Sequence, residues 1–191
     1  VCAIYLNAFD VSHVFNPNIP SEECFTSPMR GKAEGIVYST KPLSYQGELI
    51  EDFSFRFHEG KVIEVHARKG EELLKHMIGM DETSSYLGEA ALVPFNSPIN
   101  NTGILFYNTL YDENASCHLA LGHGFENCIH NYEKMNKEEL AKFNINDSSI
   151  HQWLMLHYGC LFYKQKQLLV DFYHYVFFIY YNLFSFSIIF N

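Results

Sequence analysis

The sequence predicts a mixed α/β chain with more strand than helix, and three stretches carry that prediction. Phe53, Phe55 and Phe57 alternate with Ser54, Arg56 and His58, then Glu59 and Gly60 turn the chain into a second alternating run over 62–66. That pattern is a hairpin with one core face and one wet face. Residues 71–80 follow as an amphipathic helix, with Leu73, Leu74, Met77 and Ile78 available to its apolar stripe. Residues 90–95 and 103–110 are apolar, β-prone runs of the kind that form buried strands.

Length and composition narrow the classes. A chain of 191 residues suits one domain and can bury a core. It begins at Val1 rather than Met, which reads as a segment whose start has been lost. The net charge is -9 and the basic residues are scattered, so no nucleic-acid partner is expected. Cys2, Cys24, Cys117, Cys128 and Cys160 are odd in number and form no Cys-x-x-Cys pair. Neither a disulfide framework nor a zinc knuckle is indicated, and free thiols in a cytoplasmic protein are expected. Glycosylation sequons at Asn100, Asn114 and Asn146 are read as chance matches, with Asn114 better used as a helix cap.

The remaining elements follow in order. Residues 1–12 carry no pattern, and 13–20 form a loop around Asn16, Pro17 and Asn18. Residues 21–28 are extended and end at Pro28. Side chains alternate along an extended segment, so only one of Glu22 and Glu23 can face a site. A surface acidic pair is the commoner use of such residues. Residues 29–35 are a turn region and 35–40 a strand, while His58 and His66 fall on the solvent side of the hairpin. Glu89 stands at the start of the strand over 90–95, either exposed or held in a site, because unpaired burial would be costly.

Asp112, Glu113 and Asn114 supply acids and an N-cap, which predicts a helix over 115–121 closed by Gly122. His118 lies in its middle. A lone helical histidine is more often structural than a ligand, although histidine is the commonest metal ligand. Residues 122–125 then turn, 136–143 form a helix capped by Asn136, and 150–153 open another strand.

Past Cys160 the chain has no Gly, Pro or Ala and is dominated by Phe, Tyr, Leu and Ile. Residues 168–190 are long enough for a membrane span, but Asp171, His174 and Asn182 interrupt them and the aromatics are spread throughout. A buried aromatic strand pair is an alternative. The residues of A/T-rich codons prevail here, so a shift of reading frame near residues 150–153 is the third reading, and the one favoured.

Three blocks change the weight of these candidates. Residues 86–94 (YLGEAALVP), 103–110 (GILFYNTL) and 113–122 (ENASCHLALG) together closely resemble the thermophilic metalloaminopeptidase family, that of aminopeptidases T and S (M29). The likeness runs from near Phe15 to about His151 and covers the C-terminal part of the family's usual chain. It implies an α/β fold with a strand-rich C-terminal metal-binding domain over 13–152, after an unassigned lead at 1–12 and before a divergent tail at 153–191. It implies a metal site of Glu23, Glu89, His118 and His151, with Glu89 matching the glutamate that lies between two metals. Carboxylate and imidazole donors suit Zn²⁺, Co²⁺ or Mn²⁺, and mixed carboxylate sites can also take Mg²⁺. The cofactors implied are therefore two divalent metal ions, and the partners are peptide substrates and, at full length, a second copy in a homodimer. The implied reaction releases N-terminal amino acids through a metal-activated water.

Two positions depart from the family's pattern. Phe125 stands where the family has a tyrosine thought to stabilise the oxyanion, and Trp153 stands where it has a metal-binding aspartate. A truncated, inactive remnant of the family is therefore the second reading, and a membrane-tethered binding protein using the tail is the third.

Overall fold

Two antiparallel four-stranded sheets share one core in the computed structural model, which describes residues 23–155. The strands are β1 (Cys24–Thr26), β2 (Gly35–Tyr38), β3 (Leu43–Tyr45), β4 (Glu48–His58), β5 (Lys61–Lys69), β6 (Leu87–Leu92), β7 (His118–Gly122) and β8 (His151–Met155). One sheet runs β1-β6-β7-β8, and the other builds β2, β3 and β5 around the long β4. Helix α1 (Glu71–Ile78) follows β5, α2 (Pro98–Thr102) and α3 (Thr109–Asp112) lie between β6 and β7, and α4 (Lys137–Ala141) precedes β8. The expectations for Glu22, Cys2, Cys160 and the aromatic tail lie outside the described residues. Among the described residues, no helix is long and apolar enough to cross a membrane.

The hairpin, β2 and the helix at 71–80 form as the sequence predicts. Phe53, Phe55 and Phe57 are buried on one face of β4, while His58 and His66 are exposed. Leu74 and Met77 of α1 close over that face. Leu87 of β6 and Leu119 and Leu121 of β7 enter the same apolar cluster. The β1-β6-β7-β8 sheet thus gives one face to this core and turns its other face away from it.

Helix α4 also has its expected start: Asn136 accepts from Glu139 N at 2.9 Å while Glu139 Oε2 accepts from Asn136 N at 2.9 Å. Each side chain satisfies a donor that the first turn leaves open.

Three local expectations are corrected. Residues 115–121 are not a helix. After a single 3-10 turn over Glu113–Ala115, the chain enters β7, paired on both edges and buried at every residue. A strand buried on both faces loses the alternation that would have revealed it, and its Ala and Leu then read as helix formers. Gly122 is correspondingly a strand residue, at φ 97, packed against the Ile150 carbonyl where a side chain would not fit. Asn114 does not cap a helix; it is buried and its Nδ2 donates to Leu110 O at 3.1 Å.

Residues 103–110 are not a strand either. The buried carboxylate of Asp112 accepts from Phe106 N at 2.7 Å and Asn108 N at 3.0 Å, folding the run back on itself as a loop into α3. Side-chain acceptors here replace the sheet partners that the apolar residues suggested. Ile104, Phe106 and Tyr107 are consequently exposed. The strand expected at 90–95 runs instead over Leu87–Leu92, so Glu89 lies within β6 rather than before it.

Candidate metal centre

Strand register brings four predicted residues to one face of the β1-β6-β7-β8 sheet. Glu89 pairs with Ala120, Ala91 with His118, and Gly122 with His151, so these positions share a face. Phe25 pairs with Ala91, and Glu23 lies two residues earlier on the same extended segment. The period of two carries Glu23 to that face as well.

Glu89 reaches this face through a bulge. Leu87 pairs with Leu121 but Glu89 pairs with Ala120, so Gly88 and Glu89 advance two residues against one. Without the extra residue Glu89 would oppose Leu119 and point into the apolar core. A bulge that redirects one side chain explains an acid inside an otherwise apolar strand.

The side chains then converge. One ligand atom from each of Glu23, Glu89 and His118 lies within 4.8 Å of the others, and all three residues are buried. Ligand atoms held about 2 Å from one ion stand at most about 4 Å apart, so little closure is needed. His118 Nε2 lies 3.2 Å from Glu23 Oε2, and His151 Nε2 lies 2.9 Å from Glu89 Oε2. His151 is the least buried of the four but only 17% of its side chain is exposed.

Each histidine is oriented through its other ring nitrogen. His118 Nδ1 donates to Ser116 O at 3.2 Å, and His151 Nδ1 donates to His123 O at 2.6 Å. A carbonyl only accepts, so both Nδ1 atoms carry the proton. Both Nε2 atoms are thereby directed at carboxylates, as in metal sites where a backbone carbonyl fixes the ligand's tautomer.

The electrostatics are those of a cation site. Glu23, Glu89 and Glu113 are all buried, and full burial alone would lower the His118 pKa. The hydrogen bond to Glu23 and the charges of Glu23, Glu89 and Glu113 outweigh that burial and raise it to about 9. In the metal-free protein a proton on His118 therefore provides a positive charge among buried carboxylates. A divalent ion held by the same atoms would provide more. The donor set and its geometry fit such an ion.

Glu113 is the residue that sequence reasoning missed. It reads as an exposed acid near a helix start, but the 3-10 turn buries it near His118. Its signal was weak: three consecutive polar residues, 112–114, directly before a buried strand.

Three further residues lie close by in the fold. The Phe125 ring lies 4.8 Å from the His151 ring and 5.5 Å from that of Phe25. Trp153 pairs in register with Ala120, which is also the partner of Glu89. Cys128 lies near Ser27 and Glu89, and burial pushes its thiol pKa up to about 11.

Comparison with known proteins identifies the family. The thermophilic metalloprotease (M29) family matches residues 5–158. Aminopeptidase AmpS of Bacillus subtilis (strain 168) is 49% identical over 144 residues, covering 75% of this chain and 35% of that protein. Aminopeptidase T of Thermus aquaticus is 42% identical over 141 residues, covering 73% and 34% respectively. The solved structure of wild-type AmpT from Thermus thermophilus matches with a TM-score of 0.66 at 40% identity, over 76% of this chain and 35% of that one. The chain thus spans about a third of the length of the relatives it matches. With most of its length inside that match, and with buried carboxylates and histidines gathered on one sheet face, the chain belongs to the thermophilic metalloprotease family M29.

Proposed function

We propose that Glu23, Glu89, His118 and His151 hold divalent metal in the peptidase centre of an aminopeptidase, releasing N-terminal residues from peptides. The observation that carries this reading is the pair of histidines with Nδ1 on a carbonyl and Nε2 on a buried glutamate. When bound, the metal supplies Lewis acidity toward a scissile carbonyl and a more acidic water. Glu23 and His118 form one side of the centre, His151 the other, and Glu89 reaches both. That position suits Glu89 to bridge two ions. Burial of this face keeps bulk water from screening the charges it gathers.

The test is metal content by mass spectrometry after reconstitution with Zn²⁺ or Co²⁺. His118→Ala and Glu89→Gln should lose most of the bound ion, and His66→Ala, on the wet face of the hairpin, should lose none. Equal loss from His66→Ala and His118→Ala would sink the assignment.

A second reading has its own support: a member of the family that binds metal but turns over poorly. Trp153, two residues after His151 in β8, stands where the resemblance expects a metal-binding aspartate. Phe125, beside His151, offers no hydroxyl where the resemblance expects an oxyanion donor. Hydrolysis of leucyl or phenylalanyl anilides by the reconstituted chain separates the two readings.

A further inference from the structure

We infer that Asn146 is a positioning residue for the metal centre: it clamps the turn whose carbonyl orients His151. The inference rests on the metal-site reading above. Asn146 is 1% exposed. Its Nδ2 donates to Gly122 O at 2.6 Å and to Thr83 O at 2.9 Å, and its main-chain O accepts from Gly124 N at 2.8 Å. His123 lies between those two glycines. Its N donates to Ile150 O at 2.5 Å, and its O accepts from His151 Nδ1 at 2.6 Å.

These bonds fall on two successive peptide planes, and each plane is rigid. The first contains Gly122 C=O and His123 N–H, held by the Asn146 side chain and by Ile150. The second contains His123 C=O and Gly124 N–H. Asn146 O holds its N–H end, and its C=O end receives the His151 ring. The second plane cannot turn away from His151 while Asn146 stays seated. What seats Asn146 is its side-chain amide, bonded at once to this turn and to the chain at Thr83. The opposite side is closed by Gly88, which has no room for a Cβ against the carbonyls of Gly122 and His123.

The prediction follows through His151. Loss of the amide frees the Gly122 carbonyl, the turn relaxes, and His123 O no longer fixes the Nδ1–H form that keeps Nε2 toward Glu89. Removing such an orienting partner costs roughly 10- to 100-fold in metal affinity.

The experiment uses the full chain in wild-type form and as Asn146→Ala, Asn146→Asp, His151→Ala and the Asn146→Ala/His151→Ala pair. Asn144→Gly is the control, since Asn144 joins the main chain at Arg30 within the same segment and makes no bond to the turn. Two readouts are taken: Co²⁺ affinity by titration of the visible spectrum, and the ring ¹⁵N shifts of neutral His151 in metal-free protein. Asn146→Ala should lower Co²⁺ affinity by about 10- to 100-fold, add nothing in the His151→Ala background, and reduce the Nδ1–H population. Losses that multiply in the double variant overturn the inference, as does a loss matched by Asn144→Gly. If His151→Ala binds Co²⁺ as wild type does, the metal-site reading falls instead. The ring ¹⁵N shifts then decide Asn146 by themselves, and an unchanged Nδ1–H population in both Asn146 variants overturns its role. Asn146→Asp keeps the shape and replaces the donor with an acceptor, so it serves where the alanine variant folds poorly.

Discussion

His118 makes the metal-free protein sensitive to pH in a direction opposite to that of most acids. Its folded pKa is raised to about 9 from an ordinary 6.5, because the carboxylates of Glu23, Glu89 and Glu113 outweigh the burial that opposes them. A raised pKa means that folding binds a proton more tightly than the unfolded chain does. The associated stability is fully present below about pH 6.5, declines through the interval to 9, and is absent above it. For a fully buried group the shift corresponds to about 3 kcal/mol. Urea unfolding of chelator-treated protein should therefore give lower stability at pH 9.5 than at pH 6. His118→Gln should remove most of that difference, and an unchanged pH slope in the variant would refute the account. Glu113 belongs to the same balance. Glu113→Gln should lower the His118 pKa, detectable in its ring proton shifts, and weaken metal uptake severalfold, although Glu113 was not among the residues that sequence patterns pointed to. Phe125→Tyr with Trp153→Asp tests the other side of the site. If those two positions limit turnover, the double variant should raise anilide hydrolysis by 10²-fold or more, the scale of one oxyanion donor.

At the scale of elements, the site depends on how β6 and β8 are delivered. Asp81 is the anchor for β8. Its Oδ2 accepts from Ser148 Oγ, Ser149 N and Ser149 Oγ at 2.8, 2.8 and 2.6 Å, and its Oδ1 accepts from Thr83 N at 2.8 Å. The hydrogen bonds from Ser149 lead in holding its carboxyl well below the usual range. A depressed pKa places this stability above the ordinary carboxylate value and removes it as pH falls through the folded one. Asp81→Ala should thus speed amide exchange over 146–151 and leave the β4–β5 hairpin protected, as hydrogen exchange would read. Equal exposure of both regions would show that Asp81 is not a local anchor. These same elements show what a sequence can and cannot reveal. The hairpin was legible because one face of it is wet, so Phe53, Phe55 and Phe57 alternate with polar residues. The capped start of α4 was legible because Asn136 and Glu139 act locally. β7 was not legible, since both its faces are buried and its pairing partners lie about 30 residues away on either side. Nor was the loop over 103–108, where the acceptor on Asp112 overrides a β-prone run. Glu23, Glu89, His118 and His151 were assembled by likeness to a family. The bulge at Gly88, which turns Glu89 toward the others, is a tertiary feature that spacing alone does not encode.

At the scale of the whole molecule, the two sheets do not stand alone. Leu87, Leu119 and Leu121 come from the site-bearing sheet, and Phe53, Phe55 and Phe57 come from the hairpin sheet. All six share one apolar cluster with Leu74 and Met77 of α1. The outer face can carry buried charge only because this inner face supplies compensating apolar burial. A cavity made in the hairpin sheet should therefore be felt at the metal centre, although Glu23, Glu89, His118 and His151 all lie outside that sheet. Phe55 is 1% exposed, and its truncation to alanine should cost about 3–5 kcal/mol. The chain's one tryptophan, Trp153, lies in β8 and reports on the site-bearing sheet. Far-ultraviolet circular dichroism averages over both sheets. In Phe55→Ala the two signals should move to lower urea together and keep coincident midpoints, as a single cooperative unit requires. If the dichroism midpoint falls while the Trp153 fluorescence midpoint stays at the wild-type value, the sheets unfold independently. The shared core would then be no support for the site.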